Sequence, residues 1–462
     1  MRARAAFLLP LLLGCTSAVR APDLGGLYSR SARWHHERRN PVIVIPGILG
    51  SKLRDAETGR VVWGAFSGDY ANPGSADGAR LLALPMREGA ALDELTDGVR
   101  SDGALDRVRL KLLGITIEAA AYANILATLG VGGYRDSLLA RAGAVDYGTD
   151  HFTCFQFDYD WRRDLVENAE RFHAWLAQTA ASVRAERQKR FDSDEEVRFD
   201  VVAHSMGGLL ARYYLMYGPT DLPAEGAARA PDWAGAGRIE RAILIGTPNA
   251  GSIRALSELV HGSDLGPVLP TYPPAILGTM PAVYQLLPRP RHGPLRDGRG
   301  AAVDLLDPAL WERRGWGLLD PSQDRVLEWL LPEAGTAADR RRIARDHVGK
   351  CLARARRFHE AIDVPARPPE GTALYLVAGD AEPTPAVASL EEVAFTEWAP
   401  GDGTVLRTSA VMDERVGGAW RPSVVTPIAW RQTLFLFTDH LGLTRDPAFT
   451  DNVLYLLLED PR

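Results

Sequence analysis

The chain has 462 residues, 46% of them hydrophobic and 24% charged, with a formal net charge of −6. This composition excludes intrinsic disorder and collagen-like repeats, and the mild acidity gives general nucleic-acid binding no electrostatic support. Three cysteines in such a length cannot form a stapled framework, and the basic residues are nearly all arginine, with only Lys52, Lys111, Lys189 and Lys350 as lysines. That reads as a genome-composition bias. Length alone allows two or three domains.

Arg2 and Arg4 precede an apolar run from Ala5 to Leu13. The run is about half of what a bilayer span needs, so it reads as a signal peptide over 1–14. It ends on Leu13-Gly14-Cys15, a lipobox-like pattern in which Cys15 is lipidated and becomes the mature N-terminus. Simple cleavage after Ala18 is the alternative. The expectation is an exported bacterial lipoprotein anchored to the outer membrane by Cys15, since Thr16 is not aspartate; a secreted or periplasmic soluble protein is the other reading. Residues 15–40 read as a polar tether.

Pro41 to Pro46 is a short, β-branched apolar run ended by Pro46-Gly47, a buried strand and a tight turn. Residues 52–115 look irregular. Residues 152–158 suggest a second strand, and Asp164 to Arg190 a helix free of Gly and Pro. A third strand is expected over Val197–Val202 and a helix over Gly207–Tyr217. A fourth strand is expected over Arg238–Ile245. Residues 252–370 hold helical pieces and many prolines but no clear strand. Strands resume at Leu374–Ala378 and Thr433–Phe437, and a helix follows over Pro447–Leu458. This alternation predicts an α/β fold with a mostly parallel sheet covered on both faces. Cys154 lies in an apolar segment and reads as a buried free thiol; whether it pairs with Cys351 is not legible.

Chemistry is expected at strand ends. Ala203-His204-Ser205-Met206-Gly207-Gly208 follows a strand and opens a helix, the context of a nucleophile elbow with Ser205 at its tip. Alanine replaces the usual first glycine and is still small enough for the close backbone crossing. A serine needs a base and the base an orienting carboxylate; in the α/β-hydrolase order the acid and then the histidine follow the serine. His440, just past the last strand, is the base, because His261, His292, His347 and His359 lie in the strand-poor insertion. Asp402, in the glycine-flanked turn Gly401-Asp402-Gly403, is the acid, with Asp380 as its rival. The oxyanion donors are expected to be the amides of Met206 and Ile48.

Pro41 to Leu53, Phe157-Asp158-Tyr159-Asp160-Trp161-Arg162, Ala203 to Gly208, Tyr284 to Pro288, Gly401 to Val405 and Asp439-His440 stand in an order that resembles the lecithin:cholesterol acyltransferase family. The resemblance spans roughly 41–445. It implies an α/β-hydrolase fold and a Ser205/Asp402/His440 triad, raises Asp402 above Asp380, and implies a mobile, lipid-meeting loop over residues 52–80. That loop holds no cysteine here and carries Trp63 as a substrate-contact candidate. Asp160, Trp161 and Arg162 are expected to hold the floor of the site by ion pairing and stacking.

The resulting expectation is a lipid O-acyltransferase or ester hydrolase, of lipase or phospholipase type, that works through an acyl-enzyme. It needs no cofactor or metal, acts on a lipid or other ester at a membrane surface, and binds no nucleic acid; protein partners are not legible. Hydrolysis of non-lipid esters is one alternative, and a non-catalytic lipid-binding surface lipoprotein is another. Residues 41–462 are then one elaborated domain with a lid insertion, 52–115, and a cap insertion, 252–370.

Overall fold

The computed structural model describes residues 22–64, 69–104, 109–112, 115–118, 120–137, 152–224, 229–264, 270–415 and 421–461. Its centre is a six-stranded parallel sheet built from β1 (Val42–Ile45), β2 (Cys154–Gln156), β3 (Phe199–His204), β4 (Ile239–Ile245), β5 (Ala373–Gly379) and β6 (Trp430–Leu436), in the order β6-β5-β4-β3-β1-β2. Val44 pairs with Gln156 on one side and Val202 on the other, Val202 with Ile243, and Leu244 with Leu376.

Alternation explains why these strands read as unbroken apolar runs. Successive side chains leave opposite faces, and both faces are covered. Ile43, Ile45, Val201, Ala203, Ala242 and Leu244 belong to one buried cluster. Val42, Val44, Val202, Ile243 and Ile245 belong to the other. The first face is covered by α2 (Leu165–Phe191) and α3 (Met206–Tyr217), the second by α1 (Ala120–Val131) and α5 (Pro447–Leu458). Asp164 caps α2 by accepting from the Val166 amide at 3.0 Å, and Asp192 ends it with φ of 54°. Pro447 opens α5 behind the Asp446 cap, as its sequence predicts.

The expectation of an irregular 52–115 segment is corrected. Ser51–Asp55 lies between Val61–Trp63 and Val99–Ala104 in an antiparallel sheet, and Ala76–Leu82 is helical. These strands are only 5, 3 and 6 residues long, so their alternation is too brief to read. Another small sheet was also unread: Glu382–Ser389 and Phe395–Gly401 form a hairpin between β5 and Asp402, with Leu295–Arg296 on its edge. Pro383 and Pro385 hid it, since proline argues against a strand interior. Besides Leu295–Arg296, the described residues of the cap add the two-residue strands Ser263–Asp264 and Thr271–Tyr272 to its helices, of which α4 (Ala337–Ile362) is the longest.

The tether expectation also needs revision where it is described. Tyr28 is buried, and its hydroxyl donates to Asp451 Oδ1 of α5 at 2.7 Å; Ala32 is buried beside it. Residues 22–40 therefore dock on the domain. Cys15 and the expected signal peptide lie outside the described residues. Cys154 and Cys351 are both free and buried, and burial pushes both thiols up. Among the described residues no helix is long and apolar enough to cross a membrane.

Both insertions are tied to the sheet through buried polar groups. Arg162 is fully buried, bonds Asp160 through Nε (2.9 Å) and Nη2 (2.7 Å), and reaches Asp97 at 2.8 Å. Its Nη1 donates to the carbonyls of Leu81 and Leu82, the last turn of the lid helix. The lid in turn touches the cap: Lys350 Nζ donates to Arg87 and Ala90 carbonyls, and the Leu84 amide to Thr279 Oγ1 at 3.0 Å. Gln285, from the Tyr284 to Pro288 motif, accepts from the Leu165 amide at 2.9 Å and donates to Asp164 at 2.6 Å, pinning the cap to the start of α2. Removing one partner of a buried pair strands the other charge. Arg162→Met should therefore cost about 3–5 kcal/mol in urea unfolding. A loss below about 1 kcal/mol, the range of an exposed pair, would show that Asp160 and Asp97 find other partners.

Candidate active site

The loops at the carboxyl edge of the sheet converge where this fold places its ligands. Ser205 follows β3 and adopts φ 52° and ψ −125°, a strained conformation that only a tightly held turn retains. Its amide donates to the Ile245 carbonyl at 2.7 Å. The turn exists because small residues flank it. A Cβ on Gly207 would lie 2.4 Å from the Pro46 carbonyl oxygen, and one on Gly208 would lie 2.0 Å from Thr247 Oγ1. Ala203, two residues before the serine, is fully buried. Ser205 sits at the N-terminal end of α3, where the helix dipole favours negative charge.

Asp402 and His440 are brought together from opposite ends of a 38-residue interval. His440 Nδ1 lies 2.7 Å from Asp402 Oδ2, and the His440 amide donates to the Asp402 carbonyl at 2.9 Å. The other carboxylate oxygen, Oδ1, accepts from the amides of Thr404 (3.0 Å) and Val405 (2.7 Å). Every bond that orients the acid is thus made by its own turn and by the imidazole it faces. His440 Nε2 is buried and has no hydrogen-bond partner among the described residues, which leaves it available to a proton from outside the pair. Gly246, which ends β4 with φ of 56°, makes room for the ring: a Cβ there would stand 2.9 Å from His440 Cε1. Gly379 does the same for the acid, since its Cβ would meet Asp402 Cβ at 2.7 Å. Ser205, Asp402 and His440 are all buried.

The rival acid is engaged elsewhere. Asp380 accepts from Arg407 Nη1 at 2.8 Å. The rival histidines are also occupied. His347 and His359 bond the carbonyls of Thr279 and Gln285 from α4, His292 faces Glu414, and His261 meets the Glu392 carbonyl.

The loop after β1 carries Ile48. Aromatic side chains hold it on every side: Tyr122 OH accepts from the Gly47 amide (2.8 Å), Tyr159 OH donates to the Pro46 carbonyl (2.9 Å), and the indoles of Trp161 and Trp63 donate to Ser51 (3.1 Å) and Leu49 (2.9 Å) carbonyls. A Cβ on Gly47 would come within 2.8 Å of Ser205 Cβ, so this loop lies directly against Ser205. Within the described residues, neither the Ile48 nor the Met206 amide donates to another group. Trp63 was expected as a substrate contact. It is instead fully buried, edge-on to Trp161 with ring centroids 5.3 Å apart, and bonded to the oxyanion-side loop. Its role here is to brace the backbone of that loop. Residues 65–68 of the expected lipid-meeting loop lie outside the described residues.

The acid turn has its own supports, which the sequence did not reveal. Arg254 Nε and Ser252 Oγ, from the start of the cap, donate to the carbonyls of Gly403 (2.8 Å) and Thr404 (2.7 Å). Thr384 of the hidden hairpin accepts from the Gly403 amide at 2.8 Å. Gly246 could have been found from its place at a strand end before Thr247-Pro248-Asn249; Arg254 and Thr384 carry no local signal.

The chain is similar to known proteins at the level of a family model and of fold. The family model described as lecithin:cholesterol acyltransferase matches residues 136–302, a stretch that includes Asp160 to Arg162 and Ser205 but stops before Asp402 and His440. No curated protein matches. Among solved structures, the crystal structure of the Tle4–Tli4 complex aligns with a TM-score of 0.57 at 17% identity, covering 92% of this chain and 99% of that one. Lipase 1 from Pelosinus fermentans aligns at 0.34 and 11% identity over 92% of this chain and 100% of that one. EstA from Clostridium botulinum aligns at 0.33 and 12% identity over 95% and 99%.

Gly246→Ala tests whether the imidazole seat is as tight as it looks. The positive φ alone should cost about 1–2 kcal/mol of stability. The added methyl should also displace His440 from Asp402 in a crystal structure of the variant. An unmoved ring would show that the seat is loose. The chain has an α/β-hydrolase fold, and its residues 136–302 are similar to the family described as lecithin:cholesterol acyltransferase.

Proposed function

We propose that the protein is a serine acyltransferase or esterase acting on lipid esters, with Ser205 as nucleophile, His440 as base and Asp402 as the orienting acid. The observation that carries this reading is the 2.7 Å contact between Asp402 Oδ2 and His440 Nδ1, which leaves Nε2 unpaired at the serine's edge of the sheet. Ser205 Oγ attacks the ester carbonyl and gives its proton to His440 Nε2. The Asp402 carboxylate holds the Nδ1–H tautomer and stabilises the imidazolium. The tetrahedral oxyanion takes the free amides of Ile48 and Met206. His440 then protonates the leaving alcohol, and the acyl-enzyme passes its acyl group to water or to a second alcohol. Serine acyl transfer of this kind uses no cofactor.

The lipid character of the substrate is supported by the family match and by the lid and cap insertions that enclose the buried site. We further propose that residues 41–462 act as one domain, on the strength of the lid-to-cap and cap-to-sheet hydrogen bonds, and that Cys15 anchors the mature protein to the outer membrane. Palmitate labelling abolished by Cys15→Ser tests the anchor; unchanged labelling would remove it.

A fluorophosphonate probe should label Ser205 and nothing else, and Ser205→Ala should abolish the label. Asp402→Asn should lower turnover by about 10⁴, the cost of the wrong imidazole tautomer. Asp380→Asn should leave it near the parent value. The reverse pattern would transfer the acid role to Asp380. Radiolabelled phospholipid, supplied with and without an acceptor alcohol, separates transfer from hydrolysis: acyl chain on the acceptor means transferase, and free fatty acid alone means hydrolase. Neither product, with Ser205 labelled, would move the substrate outside lipids. An unlabelled Ser205 would leave only a lipid-binding protein.

A further inference from the structure

The proposed reaction leaves two buried polar side chains beside the site without a task. His204 closes β3 immediately before the nucleophile, and Tyr122 lies on α1; both are buried. The His204 ring lies 4.9 Å from that of His440 and edge-on to Tyr122 at 5.8 Å. Polar contacts join them into a chain. The Gly47 amide donates to Tyr122 OH at 2.8 Å, Tyr122 OH meets His204 Nδ1 at 3.4 Å, and His204 Nε2 meets the His440 carbonyl at 3.4 Å.

Only one arrangement of protons satisfies the whole chain. The Gly47 N–H occupies a lone pair of the Tyr122 oxygen, so the single hydroxyl proton is free to point at His204 Nδ1. With Nδ1 accepting, a neutral imidazole carries its proton on Nε2, which faces a carbonyl that can only accept. The opposite tautomer would set a lone pair of Nε2 against the lone pairs of that carbonyl. Burial, together with neighbouring His440, lowers the His204 pKa to about 3, which favours the neutral ring. The approach of Tyr122 depends on glycine at two positions of the loop: a Cβ on Gly50 would stand 2.5 Å from its hydroxyl and one on Gly47 would stand 3.3 Å away.

One end of this chain is the loop that carries the Ile48 amide. The other is the backbone of the residue that carries the base. We propose that Tyr122 and His204 are a positioning pair, which holds the oxyanion loop and His440 in a fixed register so that both meet the same tetrahedral centre. This inference rests on the triad proposed above. Neither residue touches the reacting atoms. Both act through the backbone groups they hold.

The test uses the full chain and the rate at which a fluorophosphonate inactivates Ser205, which needs no knowledge of the natural substrate. Tyr122→Phe removes only the hydroxyl. His204→Gln keeps a donor for the His440 carbonyl and loses the Nδ1 acceptor. The two polar contacts to His204 are long, so each substitution should lower the limiting inactivation rate by about three- to tenfold. The probe concentration at half-saturation should not change. Because both substitutions break the same link, the double variant should be no slower than the slower single one. His204→Ala, which also removes the donor, should be slower than His204→Gln. Thermal unfolding of each variant separates register from stability. Additive losses, a change confined to half-saturation, or parent rates in the two folded single variants would overturn the positioning role. If Tyr122→Phe fails to fold, the order of His204→Gln and His204→Ala decides: equal rates would overturn the proposal. Failure of the parent protein to react at Ser205 would instead overturn the triad, and this inference with it.

Discussion

The site depends on how closely two backbones pass. Where β3 turns into α3, Gly207 lies against the carbonyls that end β1, with no room for a methyl group between them. That crossing forces Ser205 into a positive φ and fixes the loop bearing Ile48 beside it. The amides of Ile48 and Met206 belong to the two segments that meet at the crossing, and neither donates to another group among the described residues. An isolated turn would relax from this conformation at a gain of about 1–3 kcal/mol. Here it is held by parallel strands on both sides, by the Ser205 amide bonded to Ile245, and by the fully buried helix behind it.

The rest of the structure supplies rigidity to that crossing from outside. The aromatic side chains of Tyr122, Tyr159, Trp161 and Trp63 bond the backbone of the Pro46 to Ser51 loop, and Arg162 fastens the lid below them. On the opposite side, Arg254 and Ser252 of the cap and Thr384 of the hairpin hold the turn that presents Asp402. The insertions therefore do more than cover the site. The lid bonds the loop beside Ser205 and the cap bonds the turn that bears Asp402, so both insertions are mechanically linked to the proposed triad. Preorganised donors of this kind need no rearrangement as charge develops, which is where such sites gain most of their rate.

Much of this was legible in the residues. The β-branched runs at Val42 and Val201 can be buried on both faces only in a covered parallel sheet, so the architecture follows from them. Ser205 is marked by its small neighbours, and His440 by its place past the last strand. Asp402 was favoured over Asp380 by its glycine-flanked turn, and the family resemblance raised it further, because both are aspartates near a strand end. The geometry distinguishes them by partner, imidazole for one and Arg407 for the other. What stayed hidden depends on contacts distant in sequence. Trp63 reads as a substrate-contact candidate until the lid sheet folds it under the loop. The hairpin before Asp402 carries prolines where a strand should not. Tyr122 and Arg254 act on groups 75 and 149 residues away, and Thr384 acts from the unpredicted hairpin. Tertiary packing assigns their roles, and no local pattern records it.

The most direct measurement is a crystal structure of the protein after reaction with a fluorophosphonate. The adduct should be on Ser205 Oγ, with its phosphonyl oxygen about 3 Å from both the Ile48 and Met206 amides. His440 Nε2 should lie within hydrogen-bond reach of the serine oxygen while Nδ1 stays on Asp402. An adduct on another residue, or a phosphonyl oxygen turned away from these amides with His440 released from Asp402, would contradict the proposed site.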